Sequence, residues 1–223
     1  DSDKSLSIRS LLIGSQSYGL CKIKNLSKSG DILSTISGLR KLGIKIFFKN
    51  KICYLYGNGL SGFDYKKNIL INAGNSGTFA RLLLGLIIKT PYKIKLVGDN
   101  SLSNRDFKRI ADPLKEFGAK FELRNKNNLP LKVIGSEYLK PINYFEKRGS
   151  AQCKSSVILA ALNTPGKTTI YAKKSRNHTE LFLKYLKLPI KIIEKKKYDK
   201  IEISGQHQFK SFNYEIPGDV SSS

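Results

Sequence analysis

The 223-residue chain carries 40 Lys and Arg against 17 Asp and Glu, a formal charge of +23, and 40% of its residues are hydrophobic. That hydrophobic share suits a globular protein, and no apolar run reaches the roughly 18 residues of a membrane-spanning helix. Cys21, Cys53 and Cys153 stand far apart in no metal spacing and His178 and His207 are the only histidines, which argues against a zinc site or a disulfide framework and fits a reducing cytoplasm.

In chain order, residues 4–14 read as a polar turn entering a helix. A strand of alternating apolar and polar residues follows at Leu20–Leu26. Ser29 caps a second helix over Ile32–Leu42, with Ile32, Leu33, Ile36, Leu39 and Leu42 at helical spacing and Gly43 as its stop. Strands at Ile44–Lys49 and Lys51–Tyr56 are joined by a tight turn at Asn50. After a short strand at Ile69–Ile71 the order returns: a helix entered at Asn75–Thr78, a strand at Tyr92–Val97, a helix opened by Ser103–Asp106 and stopped by Gly118, and a strand from Ala119. It returns again: a helix entered at Ser150–Gln152, a strand at Lys167–Ala172, a helix opened by Ser175–His178 before Pro189, and a hairpin of Ile190–Glu194 with Lys200–Ile203. The stops at Gly43, Gly118 and Pro189 are nearly evenly spaced. The expected fold is therefore α/β (α+β), three β-α-β-α-β-β units over about 4–56, 69–134 and 145–203, within a domain of residues 1–216.

The stretch Asn72–Gly85 joins a strand to an apolar helix through a glycine-bearing turn, with Asn75 or Ser76 as cap. The unpaired N–H groups of such a helix start make a seat for a phosphate or carboxylate. Similar polar entrances recur at Lys4-Ser5 with Arg9, at Ser103–Arg105, at Ser150-Ala151-Gln152 and at Ser175-Arg176. Repeat symmetry brings such entrances toward one cleft. Arg9 falls one turn after Lys4 and Ser5, so one anion can touch all three. A guanidinium at Arg105 suits a carboxylate or phosphate. Gly57-Asn-Gly-Leu-Ser-Gly62 matches G-x-G-x-x-G, but no helical pattern follows it, so it reads as a turn between strands. The charge also fits a nucleic-acid-binding module, although no helix-turn-helix, zinc finger or RNP-like strand is present. Basic residues spread over the whole chain favour a lysine-rich surface holding a local cationic cleft.

Six segments, in order, resemble the 5-enolpyruvylshikimate-3-phosphate synthase family: Asp3–Arg9, Asn72–Thr78, Gly98–Arg105, Ser150–Gln152 with Lys154-Ser155, Ser175–Glu180 and Pro217–Ser222. The resemblance implies a two-domain enolpyruvyl transferase fold with three repeats per domain, residues 217–223 being the crossover into a second domain. It implies transfer of the enolpyruvyl group of phosphoenolpyruvate to the 5-hydroxyl of shikimate 3-phosphate, in aromatic amino acid (chorismate) biosynthesis, without metal or organic cofactor. Carried over by motif, Lys4 is the catalytic cation between the substrates. Ser5 and Arg9 hold the shikimate carboxylate. Ser150, Ala151, Gln152, Ser175 and Arg176 surround the 3-phosphate. Gly77, Arg105 and Gln152 join Lys4 around phosphoenolpyruvate.

Asp106 follows Arg105 where the family usually has Pro, so a looser helix start is expected. The related UDP-N-acetylglucosamine enolpyruvyl transferase family has Lys-Asn where this chain has Lys4-Ser5, and a cysteine in the loop matching Gly98–Asp112, which has none here. The chain starts without Met and stops on a helix-like start at Asp219–Ser223. The expectation is a fragment, inactive alone, of a cytoplasmic enzyme that is a monomer at full length, binding small anions and neither nucleic acid nor membrane.

Overall fold

The computed structural model describes residues 2–218. The end of the crossover segment, with the helix start expected at Asp219–Ser223, lies outside the described residues, as does Asp1. In order the elements are α1 (Lys4–Gln16), β1 (Tyr18–Lys24), α2 (Gly30–Lys41), β2 (Lys45–Lys49), β3 (Ile52–Asn58), β4 (Leu70–Asn72), α3 (Gly77–Leu86), β5 (Ile94–Val97), α4 (Asn100–Ser103) and α5 (Lys108–Phe117). There follow β6 (Lys120–Arg124), β7 (Asn128–Ile134), β8 (Asn143–Glu146), α6 (Ala151–Leu162), β9 (Lys167–Lys173), α7 (His178–Tyr185), β10 (Ile190–Glu194), β11 (Tyr198–Ser204) and β12 (Asn213–Glu215).

Three four-stranded sheets result, ordered β12-β1-β3-β2, β4-β5-β7-β6 and β8-β9-β11-β10. In each, the leading pair is parallel and the other pairings are antiparallel. The first unit departs from expectation. Residues 4–56 contain no leading strand; β12, from the far end of the chain, pairs with β1 through Lys22–Asn213, Ile23–Tyr214 and Lys24–Glu215 instead. Asn213–Glu215, between Phe212 and Ile216, alternate polar and aromatic residues, but a stretch this short just before Pro217 does not show from sequence which strand it joins.

The first helix of each unit is central and the second is peripheral. Buried residues run without a break from Ser7 to Gln16 in α1 and from Cys153 to Leu162 in α6, and from Phe79 to Leu86 in α3. A helix apolar or small on every side must lie inside. By contrast α2, α5 and α7 bury one face each, as their 3.6-residue spacing requires.

The central helices run side by side in one direction. Arg9 of α1 reaches Ser155 of α6, and near the other ends Asn163 Nδ2 donates to Gln16 Oε1 at 2.9 Å. Gln152 meets Thr78 at the start of α3, and Gly85 near its end lies against the Ser156 carbonyl. The C-terminal ends are closed by three equivalent glycines. Gly57 is the penultimate residue of β3, Gly135 and Gly205 directly follow β7 and β11, and a Cβ on any of them would overlap backbone oxygens at the ends of α1, α3 and α6 respectively. Gly57, which imitated a dinucleotide fingerprint, is thus a packing glycine.

Several caps differ from expectation. Asp99, not Ser103, caps a helical turn, its carboxylate accepting from the Leu102 N–H at 2.8 Å, and Ser103 ends that turn. Helix α5 starts at Lys108, with the Asp106 carboxylate accepting from the Arg109 N–H at 3.3 Å; the departure at Asp106 therefore supplies an acceptor in the first turn. Ser29 and Ser175 make no side-chain cap bond, and α7 begins at His178. Of the two candidates at α3 it is Ser76 that accepts, from the Phe79 N–H at 3.2 Å. Gly43 and Gly118 end α2 and α5 with φ of 85° and 125°, and Lys187 takes the left-handed conformation after α7 with φ of 57°.

Gly57→Ala, Gly135→Ala and Gly205→Ala should each lower stability by roughly 1–3 kcal/mol or more, the range for overpacking. Gly30→Ala, where a Cβ meets nothing within 4 Å, should be near neutral. Urea unfolding of the four variants measures this.

Candidate functional site

A cavity of about 500 Å³ opens where the N-terminal ends of α1 and α6 meet the segment entering α7. Lys4, Ser5 and Arg9 line it from α1; Ser150, Ala151 and Gln152 from α6; Ser175, Arg176 and His178 from the third entrance; Arg109 and Thr78 from the second unit. Lys4, Arg9, Arg109 and Arg176 contribute cations, and no carboxylate is among the described lining residues. Eight of the ten residues expected at the site are therefore in one hollow.

Local structure fixes each wall. Asp3 caps α1 by accepting from the Leu6 N–H at 2.8 Å, which sets Lys4 and Ser5 in the first turn. Glu146, at the end of β8 and buried, accepts from the N–H groups of Arg148, Gly149 and Ser150 at 3.1, 2.7 and 2.9 Å. It ties the loop that delivers the start of α6, which Ser150 then caps through the Cys153 N–H. This leaves other N–H groups of the first turn facing the cavity at the positive end of the helix dipole.

Arg9 is buried and held by four oxygens. Its Nε donates to Thr179 Oγ1 at 2.8 Å, Nη1 to the Ser5 carbonyl at 3.2 Å and to Ser5 Oγ, and Nη2 to Ser155 Oγ at 3.4 Å. Burial lowers its pKa to about 10, partly offset by Glu180 and Asp3, while Arg176 pushes it further down. At neutral pH it stays charged, a fixed fork for a carboxylate or phosphate. Behind it Lys154 and Glu180 form a buried ion pair of 2.6 Å joining α6 to α7. His178 Nδ1 lies 3.5 Å from Ser5 Oγ. Burial, then Arg9, lowers its pKa, so the ring is neutral at neutral pH.

Gly77 and Arg105 are absent from the cavity lining and form an adjoining corner. A Cβ on Gly77 would sit 3.3 Å from the guanidinium nitrogens of both Arg105 and Arg81. Arg81 Nη1 donates to Gln152 Oε1, and Gln152 Nε2 donates to Thr78 Oγ1 at 3.1 Å. Gln152 thus links corner and cavity. Arg81 also stacks over the Phe107 ring at 5.2 Å, and burial, with Arg109 and Arg105 beside it, lowers its pKa to about 10. The residue spacing did not single out Arg81, Arg109, Glu146 or Thr179. A signal for Arg81 existed: it is the one charge in the otherwise apolar Gly77–Leu86. Lys4, half-exposed at the cavity rim, pairs with Asp31 of α2 at 3.1 Å.

A family model described as EPSP synthase (3-phosphoshikimate 1-carboxyvinyltransferase) matches residues 1–223. A 3-phosphoshikimate 1-carboxyvinyltransferase of Caldicellulosiruptor bescii is 42% identical over 222 residues, covering 99% of this chain and 51% of the relative. One of Streptococcus agalactiae serotype Ia is 38% identical over the same coverage. A solved structure of EPSP synthase from Acinetobacter baumannii superposes with a TM-score of 0.90 at 32% identity, over 99% of this chain and 49% of that one. The chain spans about half the length of the curated relatives it matches.

Two measurements check this site. Lys154→Met strands Glu180 without a counter-charge and should cost about 3–5 kcal/mol in urea unfolding, most of it recovered in the Lys154→Met, Glu180→Leu double variant. His178 has a folded-state pKa below the ordinary 6.5. As pH falls the unfolded chain takes that proton first, so its stabilising contribution is full above 6.5 and is lost as pH drops toward the folded-state value. Stability should therefore fall less between pH 7 and 5 in His178→Gln than in the unaltered chain.

Proposed function

Because this chain belongs to the EPSP synthase family, we propose that it forms the shikimate 3-phosphate face of an enolpyruvyl transferase. The cavity then takes the trianionic sugar phosphate, and the Gly77, Arg81, Arg105 corner takes phosphoenolpyruvate. The observation that carries this reading is the set of four cations and the open mouth of α6 around one hollow, with no carboxylate among its described lining residues. A pocket so charged, before any ligand is present, favours a polyanion over a neutral or cationic molecule.

Within this reading, the 5-hydroxyl oxygen of shikimate 3-phosphate bonds to the central carbon of phosphoenolpyruvate while its methylene carbon gains a proton. The hydroxyl proton leaves, and the tetrahedral adduct then gives up one proton from its new methyl group as the C–O bond to phosphate breaks, which yields the enol ether and inorganic phosphate. Ser5 and Arg9 hold the carboxylate, and Ser150, Ala151, Gln152, Ser175 and Arg176 the 3-phosphate. Lys4 at the rim neutralises charge growing at the attacking oxygen, with Asp31 fixing its ammonium. Gln152 keeps the two anions in register because it bonds to Arg81 and Thr78 at once. Gly77 leaves room for phosphoenolpyruvate, since a side chain there would press on Arg81 and Arg105. The proton-transfer carboxylates, which are not among the described lining residues, come from the half of the relatives' length that this chain does not cover, and closure by that half completes the site. The enzyme works in the cytoplasm, consistent with three unpaired thiols, and is a monomer when both halves are joined.

The 223-residue chain should bind shikimate 3-phosphate weakly and more weakly still as salt rises. Gln152→Ala should reduce that affinity about 10-fold, the worth of a charge-assisted hydrogen bond. Calorimetric titration reads both, and a phosphate-release assay should detect no turnover by this chain. Brisk turnover, or affinity indifferent to Gln152, would contradict the proposal.

A further inference from the structure

Arg109 stands in the first turn of α5 and lines the cavity opposite the start of α6. Its guanidinium makes no hydrogen bond and no ion pair among the described residues, and its Nε is buried without a partner. Asp106, three residues before it, does not serve it: its carboxylate accepts from the Arg109 backbone N–H at 3.3 Å and turns its other oxygen toward Arg148 at 3.6 Å. The groups that feel its charge are Arg81, whose pKa it lowers, and the Cys153 thiol. Arg81, by contrast, already spends Nη1 on Gln152 and Nη2 on the Asp106 carbonyl.

An unpaired guanidinium held beside another cation is unfavourable in the empty protein. It lies in the same cavity as Ser150, Ala151 and Ser175, and the buried Oγ of Ser175 is likewise without a partner. We propose that Arg109 is a further substrate-binding residue, whose guanidinium takes the phosphate group of the anion seated at the mouth of α6. This rests on the reading of the site as a sugar-phosphate pocket and adds a cation to it from the second unit. Arg109 then does for the phosphate what Arg9 does for the carboxylate at the other end, and the pocket distinguishes a phosphorylated ring acid from its unphosphorylated form.

The test uses the 223-residue chain with shikimate 3-phosphate, shikimate and inorganic phosphate as calorimetric probes. Arg109→Gln should weaken shikimate 3-phosphate roughly 10- to 100-fold, the span of a charged hydrogen bond, and leave shikimate affinity unchanged; Arg109→Lys should fall between. The unliganded Arg109→Gln chain should melt no lower than the unaltered one, because a repulsion is removed. Equal affinity of Arg109→Gln and the unaltered chain for shikimate 3-phosphate, equal weakening of shikimate, or a lowered melting temperature overturns the assignment. If the unaltered chain takes inorganic phosphate but not shikimate 3-phosphate, and Arg109→Gln abolishes it, the role of Arg109 stands while the reading of the substrate fails. If it takes none of the probes, both fail.

Discussion

Three helices lying side by side with their N-terminal ends together govern this structure. Parallel α1, α3 and α6 set like dipole ends next to each other, an arrangement that packing must impose and electrostatics opposes. Packing imposes it through small residues: Gly85 lets α3 approach the backbone of α6, and Gly57, Gly135 and Gly205 seat the sheets against the opposite helix ends. At the N-terminal ends the opposition is left unresolved within the protein. Arg9 and Arg81 are buried there with pKa values lowered to about 10, and Arg109 has no counter-ion among the described residues. A bound polyanion would relieve all of these strains at once, which is the physical basis of the proposed function.

Around this centre the peripheral helices act as struts. The Lys154–Glu180 pair locks α7 to α6, and Thr179 and Ser155 carry that lock to Arg9. Breaking the ion pair would therefore be felt in the geometry of the Arg9 guanidinium as well as in stability. Asp31 on α2 does the corresponding service for Lys4. Arg9 of the first unit is held by Ser155 and Thr179 of the third, and Gln152 of the third bonds Arg81 and Thr78 of the second, so the site exists only when the three units are docked.

Much of this was legible in the sequence because helix entrances and stops leave local marks. The segments at Lys4, Asn75 and Ser150 marked the central helices, and Gly43 and Gly118 marked two of the three ends. What escaped depends on distant partners. Strand β12 is three residues long and acquires meaning only by pairing with β1. Serine alone does not reveal whether it caps: Ser76 and Ser150 do, whereas Ser29 and Ser175 do not. Arg109 is one basic residue among 40; only the fold shows it lining the cavity with no acid paired to it among the described residues. The motif resemblance gathered eight of its ten residues into one cavity and left Gly77 and Arg105 in the adjoining corner, a division that Gln152 spans.

The charge of +23 makes nonspecific anion binding to surface lysines the natural competitor to this account. Backbone amide NMR during titration with shikimate 3-phosphate separates the two most directly. The account predicts that the amides of Ser5, Thr78 and Ser150 to Gln152, with Ser175 and Arg176, shift together along one saturable curve while the outward faces of the sheets stay still. Shifts spread over the lysine-rich surface, such as the Lys195–Lys197 turn between β10 and β11, with the mouths of α1 and α6 unmoved, would contradict it.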